Sequence, residues 1–259
     1  MSICVQGVSF AYGERQALRQ VDFSCQPGCL NALLGPNGAG KSTLLSTLAG
    51  DRPPDGGVVR LAEAPIEDIS LQRQAELRAV IGPRAPLAFD FTTADVVAMG
   101  WVHGERYGTH ACEDALEEVL TRCELTSLRT RVYMTLSSGE RQRVQFARGL
   151  LQIWRPEGDG TPRWLLLDEP TSNLDIAHAI GLLDTLRKEA RGGVGVLAIV
   201  HDLDLGVRYG DSIVLLAAGR VIAAGAPETV MTGERLSAVY GTPVCVEHNP
   251  GLGRLTVLT

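Results

Sequence analysis

The 259-residue chain is 45% hydrophobic, carries a net charge of −6 and has a sequence pI of about 5.4. That balance fits one large α/β unit and lacks the attraction that supplies non-specific nucleic-acid affinity, so nucleic acid is not an expected partner. No apolar run reaches bilayer-crossing length and the N-terminus "MSICVQGVSFAYG" has no secretory pattern, which predicts a cytosolic chain without a membrane span of its own.

Residues 3 to 34 read as strands, with turns at Gly13-Glu14 and Pro27-Gly28, ending in the apolar "LNALL". A helix follows Lys41, with Leu44, Leu45 and Leu48 on one face, and stops near Gly50; "GVVRLA" then reads as a short strand. Between about 84 and 150 the pattern becomes helical, and Leu116, Val119, Leu120 and Cys123 make one apolar stripe. The α/β alternation then resumes. "RWLLLDE" reads as a strand buried on both faces, Ile176 to Arg191 as a helix, "VGVLAIVHD" as a strand and "SIVLLAAGRVIAAG" as a terminal hairpin, with a hairpin-and-tail segment over about 212–259. One domain spans 1–259.

The six cysteines are scattered, and the lone Cys25/Cys29 pair falls short of the four ligands of a structural zinc site, so reduced structural thiols are expected. Of the five histidines, only His201 sits where chemistry is expected. Basic residues comprise 22 arginines and two lysines, and one lysine is Lys41. A compact ammonium on a flexible stem can nestle between phosphates where a planar guanidinium cannot.

Gly35 to Ser42 spells G-x-x-x-x-G-K-[ST] between a strand and a helix. Its glycines let backbone N–H groups wrap phosphates at the positive end of the helix; Lys41 reaches the β/γ-phosphates and the Ser42 hydroxyl binds Mg²⁺. The strand "RWLLLDEP" delivers Asp168 and Glu169 to the carboxyl edge of the sheet, where α/β proteins bind ligands. Strand alternation would point the two acids opposite ways, giving Asp168 the Mg²⁺ shell and Glu169 the attacking water. His201, after "VLAIV", emerges at the same edge as a donor toward the γ-phosphate. Ser137 and Glu140 have capping-box spacing, and Ser137, Ser138 and Gly139 place small groups at a positive helix end, a second anion site.

In this order the phosphate loop, "LSSGE", "LLLDEP", "SNLD" and "VHD" resemble the ATP-binding subunits of ABC transporters across essentially the whole chain. The resemblance implies a P-loop NTPase core of ABC type, α/β, with an N-terminal antiparallel β subdomain and an inserted helical subdomain. It implies an ATPase in which Tyr12 stacks on adenine. Gly35, Pro36, Asn37, Gly38, Ala39, Gly40, Lys41, Ser42 and Thr43 cradle the phosphates, Ser42 and Asp168 hold Mg²⁺, and Lys41, Glu169 and His201 are catalytic. Ser137, Ser138, Gly139 and Glu140 then close over the ATP of a second, head-to-tail copy, and Asp175 lies in the loop through which the copies sense each other. Ser138 and Glu140 replace the usual Gly and Gln of that signature. Pro83-Arg84 stands where the family normally has a Gln beside Mg²⁺.

With no channel segment of its own, the chain is expected to work with two separate permease subunits at the cytoplasmic side of a bacterial inner membrane, served by a periplasmic substrate-binding protein. "FDFTTADVVAMG" is similar to the haem, siderophore and cobalamin importer group, and the loop-like "LQIWRPEGDGTPRW" to haem-importer ATPase subunits. A siderophore or cobalamin importer, or an ATP-gated interaction module without transport, remains as the alternative.

Overall fold

The computed structural model describes residues 2–82, 89–172 and 174–258; the Pro83-Arg84 position lies outside them. Strands β1 (Ile3–Tyr12) and β2 (Arg15–Cys25) pair antiparallel around the Gly13 turn. Strand β3 (Leu30–Leu34) runs into the glycine loop and α1 (Lys41–Leu48), and β4 (Gly56–Leu61) returns to pair with β1 and with the two-residue β5 (Ala64–Pro65). Helix α2 (Leu71–Leu77), capped by Ser70, leads to β6 (Arg78–Ile81). The helical insert contributes α3 (Thr93–Ala98), α4 (Ala111–Arg122) and α5 (Ser138–Gln152). The chain then alternates through β7 (Arg163–Leu167), α6 (Ile176–Arg191), β8 (Val194–Ile199), α7 (Leu203–Tyr209) and the hairpin β9 (Ser212–Ala217) with β10 (Arg220–Gly225).

The two larger sheets among the described residues frame the core. One is four-stranded and antiparallel, in the order β2-β1-β4-β5; the other is six-stranded, β10-β9-β3-β8-β7-β6, parallel except for its β9/β10 edge. A parallel sheet must be covered on both faces, and the alternation of side chains shows how. Leu166, Leu197 and Ile199 pack with α1 and the antiparallel sheet, whereas Leu165, Leu167, Val196 and Ala198 face the core built with α5, α6 and the helical insert. That double coverage explains why "RWLLL" is buried at every position.

The hairpin at 212–225 does not end the structured chain. Helices α8 (Pro227–Val230) and α9 (Gly233–Tyr240) follow, then a second hairpin of β11 (Cys245–Asn249) and β12 (Arg254–Leu258). Arg254 fastens it to α7 through two 2.9 Å hydrogen bonds donated to the Asp204 carboxylate, a bidentate geometry. Periodicity gave no warning of this unit, because its strands are short and only half-buried.

The loop at 153–162 is likewise fixed. Asp159 accepts hydrogen bonds from the Thr161 N–H at 2.8 Å and the Tyr107 hydroxyl at 3.1 Å, and it pairs with the fully buried Arg163 at 3.3 Å. Trp154 packs on Trp101 and Tyr107 and donates its indole N–H to Glu118 at 2.9 Å. Since Tyr107 and Glu118 belong to the helical insert and Arg163 opens β7, the loop braces the insert against the sheet.

Candidate active site

The loop between β3 and α1 lies at the carboxyl ends of the parallel strands. Two of its glycines are sterically required. A Cβ on Gly35, whose φ is +148°, would meet the Leu216 carbonyl oxygen at 2.0 Å; on Gly40, φ +104°, it would meet the Ala17 carbonyl oxygen at 2.6 Å. Only glycine permits this backbone path so close to its neighbours. Helix α1 starts at once after Gly40, so its unpaired N–H groups and positive end face the loop.

Lys41 is buried and donates from Nζ to the carbonyl oxygens of Gly35, at 2.7 Å, and Pro36, at 3.0 Å. Burial lowers its pKa, opposed by the negative charges of Glu169 and Asp168. A cation so poorly solvated gains strongly from an arriving polyphosphate. The Ser42 hydroxyl donates to Asp168 Oδ1 at 3.2 Å. Burial raises the Asp168 pKa, with Ser42, His201 and Lys41 working against the rise. A hydroxyl and a desolvated carboxylate side by side form a hard-oxygen pair that suits Mg²⁺, which takes few protein ligands and fills its remaining positions with phosphate oxygens and water.

Asp168 and Glu169 are directed apart by a route different from strand alternation. Strand β7 ends at Leu167, and Glu169 takes the left-handed conformation with φ +53°, an uncommon state for a residue with a side chain. Asp168 therefore faces Ser42, while Glu169 Oε1 lies 2.6 Å from His201 Nε2. The Ser172 N–H and hydroxyl both donate to the Glu169 carbonyl, at 3.1 and 2.9 Å, and hold the turn.

Tyr12 stands at the mouth of the groove. Its ring is edge-on to Phe10 at 5.0 Å and lies under the Arg52 guanidinium at 5.2 Å, and its hydroxyl is 3.5 Å from Thr43 Oγ1. One groove brings Tyr12, Asn37, Gly38, Gly40, Lys41, Ser42, Thr43 and Glu169 together. Arg15 and Arg19 of β2 also line it, bringing two cations to the groove. Neither was legible in the sequence, because a basic residue in a half-exposed strand has the same local pattern whether it faces solvent or a ligand groove.

Ser137, Ser138, Gly139, Glu140 and Asp175 do not line this groove. The capping box forms: the Glu140 carboxylate accepts from the Ser137 N–H at 2.7 Å, and the Ser137 hydroxyl accepts from the Glu140 N–H at 3.2 Å. These bonds to Ser137, with Arg131 and Arg143 nearby, lower the Glu140 pKa against a small desolvation effect. Asp175 caps α6, accepting from the His178 N–H at 2.8 Å. Gly139 faces Leu174 instead, beside a groove between α5 and α6. The phosphate loop and the Ser137–Gly139 turn of one chain thus stand at separate places.

A phosphate-wrapping loop at the end of a parallel strand, with a hydroxyl–carboxylate pair and a carboxylate–imidazole pair beside it, defines a P-loop ATPase. A family model described as ABC transporter matches residues 18–172, and the chain belongs to that family. It is 47% identical to the hemin import ATP-binding protein HmuV of Hahella chejuensis (strain KCTC 2396), over 90% of each chain. It is 42% identical to the protein of the same name from Bordetella pertussis, covering 100% of this chain and 99% of that one. Among solved structures, an inward-facing putative metal-chelate type ABC transporter matches with a TM-score of 0.80 at 24% identity over 99% of this chain and 95% of that one, a likeness of fold. The cbiO1 subunit from Clostridium perfringens, part of the ABC transporter complex cbiONQ, matches with a TM-score of 0.76 at 25% identity over 91% and 92%.

Proposed function

We propose that this chain is the ATP-hydrolysing subunit of a bacterial hemin importer. It works as a head-to-tail homodimer bound to two permease subunits at the cytoplasmic face of the inner membrane, with a periplasmic binding protein delivering cargo. The observation that carries the chemistry is the meeting of Lys41, Ser42 with Asp168, and Glu169 with His201 at one phosphate loop. The hemin assignment is supported by relatives named for hemin import that align over 90% or more of this chain.

In this reading the loop N–H groups and Lys41 hold the β- and γ-phosphates, and Tyr12 takes the adenine face. Ser42 and Asp168 would hold Mg²⁺, which supplies charge neutralisation at the phosphate oxygens. Glu169 orients the attacking water and accepts its proton; His201, hydrogen-bonded to that carboxylate, fixes its direction and faces the charge that develops on the transferred group. Ser137 to Glu140 and Asp175, outside the groove of their own chain, serve the ATP of the second copy. Each site then stays incomplete until two copies close, and closure is the movement passed to the permease.

Purification with the permease and reconstitution into liposomes tests the assignment. Hemin-loaded binding protein is expected to raise ATP hydrolysis, while siderophore- or cobalamin-loaded counterparts are not. Stimulation by one of those instead overturns the cargo, and hydrolysis indifferent to any membrane partner overturns the transport role.

A further inference from the structure

The turn that carries Glu169 is joined to a helix that the chemistry described above does not use within the same chain. Gln142 of α5 donates its side-chain amide N–H to the carbonyl oxygen of Pro170, the residue directly after Glu169. Gln142 stands one helical turn after Gly139, on the helix that Ser137 and Glu140 cap. Glu169 itself is held at φ +53°, a strained backbone that persists only where its surroundings over-determine it. Among the described residues its restraints are these: Ser172 bonds the Glu169 carbonyl, His201 meets its carboxylate, and Gln142 fixes the next peptide. Of these, the Gln142 bond alone comes from α5.

We infer that Gln142 is a positioning residue: through Pro170 it sets the direction of the Glu169 carboxylate and ties that direction to the place of the Ser137–Gly139 turn. The inference rests on the proposed ATPase reading. Its consequence is that a displacement of α5 at its capped end, as when that end closes on a second copy's ATP, is carried to the proton acceptor of its own chain. One rigid turn of helix and one hydrogen bond make up the connection. Two sites in a dimer would then be coupled by a contact lying wholly within each subunit.

The test uses the full-length chain and three measurements: steady-state ATP hydrolysis, nucleotide affinity by equilibrium binding, and thermal unfolding. Gln142→Met keeps length and packing but cannot donate; Gln142→Glu keeps shape and sets an acceptor against the Pro170 carbonyl. Expected for Gln142→Met is a fall in kcat of about tenfold with KM, nucleotide affinity and unfolding temperature near wild type, the signature of an interaction needed in the transition state. Gln142→Glu is expected to lose at least as much, because an ionised carboxylate cannot donate and faces the Pro170 carbonyl with like charge. Wild-type kcat in Gln142→Met overturns the inference. So does a fall matched by lost nucleotide affinity or lost stability, or a Gln142→Glu variant that keeps wild-type kcat. If the unaltered chain hydrolyses no ATP, the failure belongs to the proposed function instead.

Discussion

Replacing Glu169 by Gln isolates the chemical step from folding. The substitution preserves shape and removes the carboxylate's charge and with it the capacity to take a proton. In the structure the Glu169 side chain is 36% exposed and its partner His201 44%, so their 2.6 Å contact is well screened and its loss costs stability less than about 1 kcal/mol. The catalytic cost is of a different order. General-base catalysis contributes roughly 10²- to 10⁴-fold, which corresponds to about 2.7 to 5.5 kcal/mol of transition-state stabilisation. Lys41, Ser42 and the loop are untouched, so ATP binding persists. The assay pairs single-turnover phosphate release with equilibrium nucleotide binding and a thermal melt. Release slowed at least a hundredfold, with binding and melting unchanged, is the expected result. Release within threefold of wild type would refute the reasoning and move the proton to another acceptor.

Three further outcomes are expected. Gly139→Ala should fold as well as wild type, since the added methyl meets Leu174 at an ordinary 3.5 Å, yet lose about tenfold or more in hydrolysis if this turn closes on a second copy's phosphates; equal activity by phosphate release argues against that closure. Asp168→Asn removes a carboxylate whose charge burial disfavours, so the melting temperature should hold or rise while Mg²⁺-dependent ATP affinity falls about tenfold, and nucleotide binding in excess chelator should not change. Burial works against the Asp159 charge, but hydrogen bonds from Thr161 and Tyr107 and the Arg163 guanidinium outweigh it and hold its pKa at about 2 against an ordinary 3.8. A depressed carboxylate pKa stabilises the fold above the unfolded value, and that contribution is lost as pH falls from about 3.8 through about 2. Asp159→Asn should therefore flatten this part of the acid-unfolding curve followed by circular dichroism, and an unchanged curve would count against the brace at 153–162.

Much of the frame was readable from residue order alone. The helix expected over Ile176 to Arg191 is found with those bounds, because Asp175 caps its start and Gly192 stands at its end, both local signals. The phosphate loop, the doubly buried strand before Asp168 and the capping box of α5 were legible for the same reason: each is specified by residues within a few positions of one another. Local signals also misled at one point, since strand alternation was expected to separate Asp168 from Glu169 and a left-handed turn does it instead.

What only the tertiary structure decided is every pairing between residues far apart in the chain. Glu169 meets His201 because β7 and β8 are neighbours in register; Arg15 and Arg19 reach the groove because the antiparallel sheet sits over α1; Tyr107 finds Asp159 because the helical insert folds back on the sheet. A period of two or 3.6 states which side of an element is buried, but not which partner buries it. That choice belongs to the packing of the whole chain, which alone turned scattered acids, cations and glycines into one site.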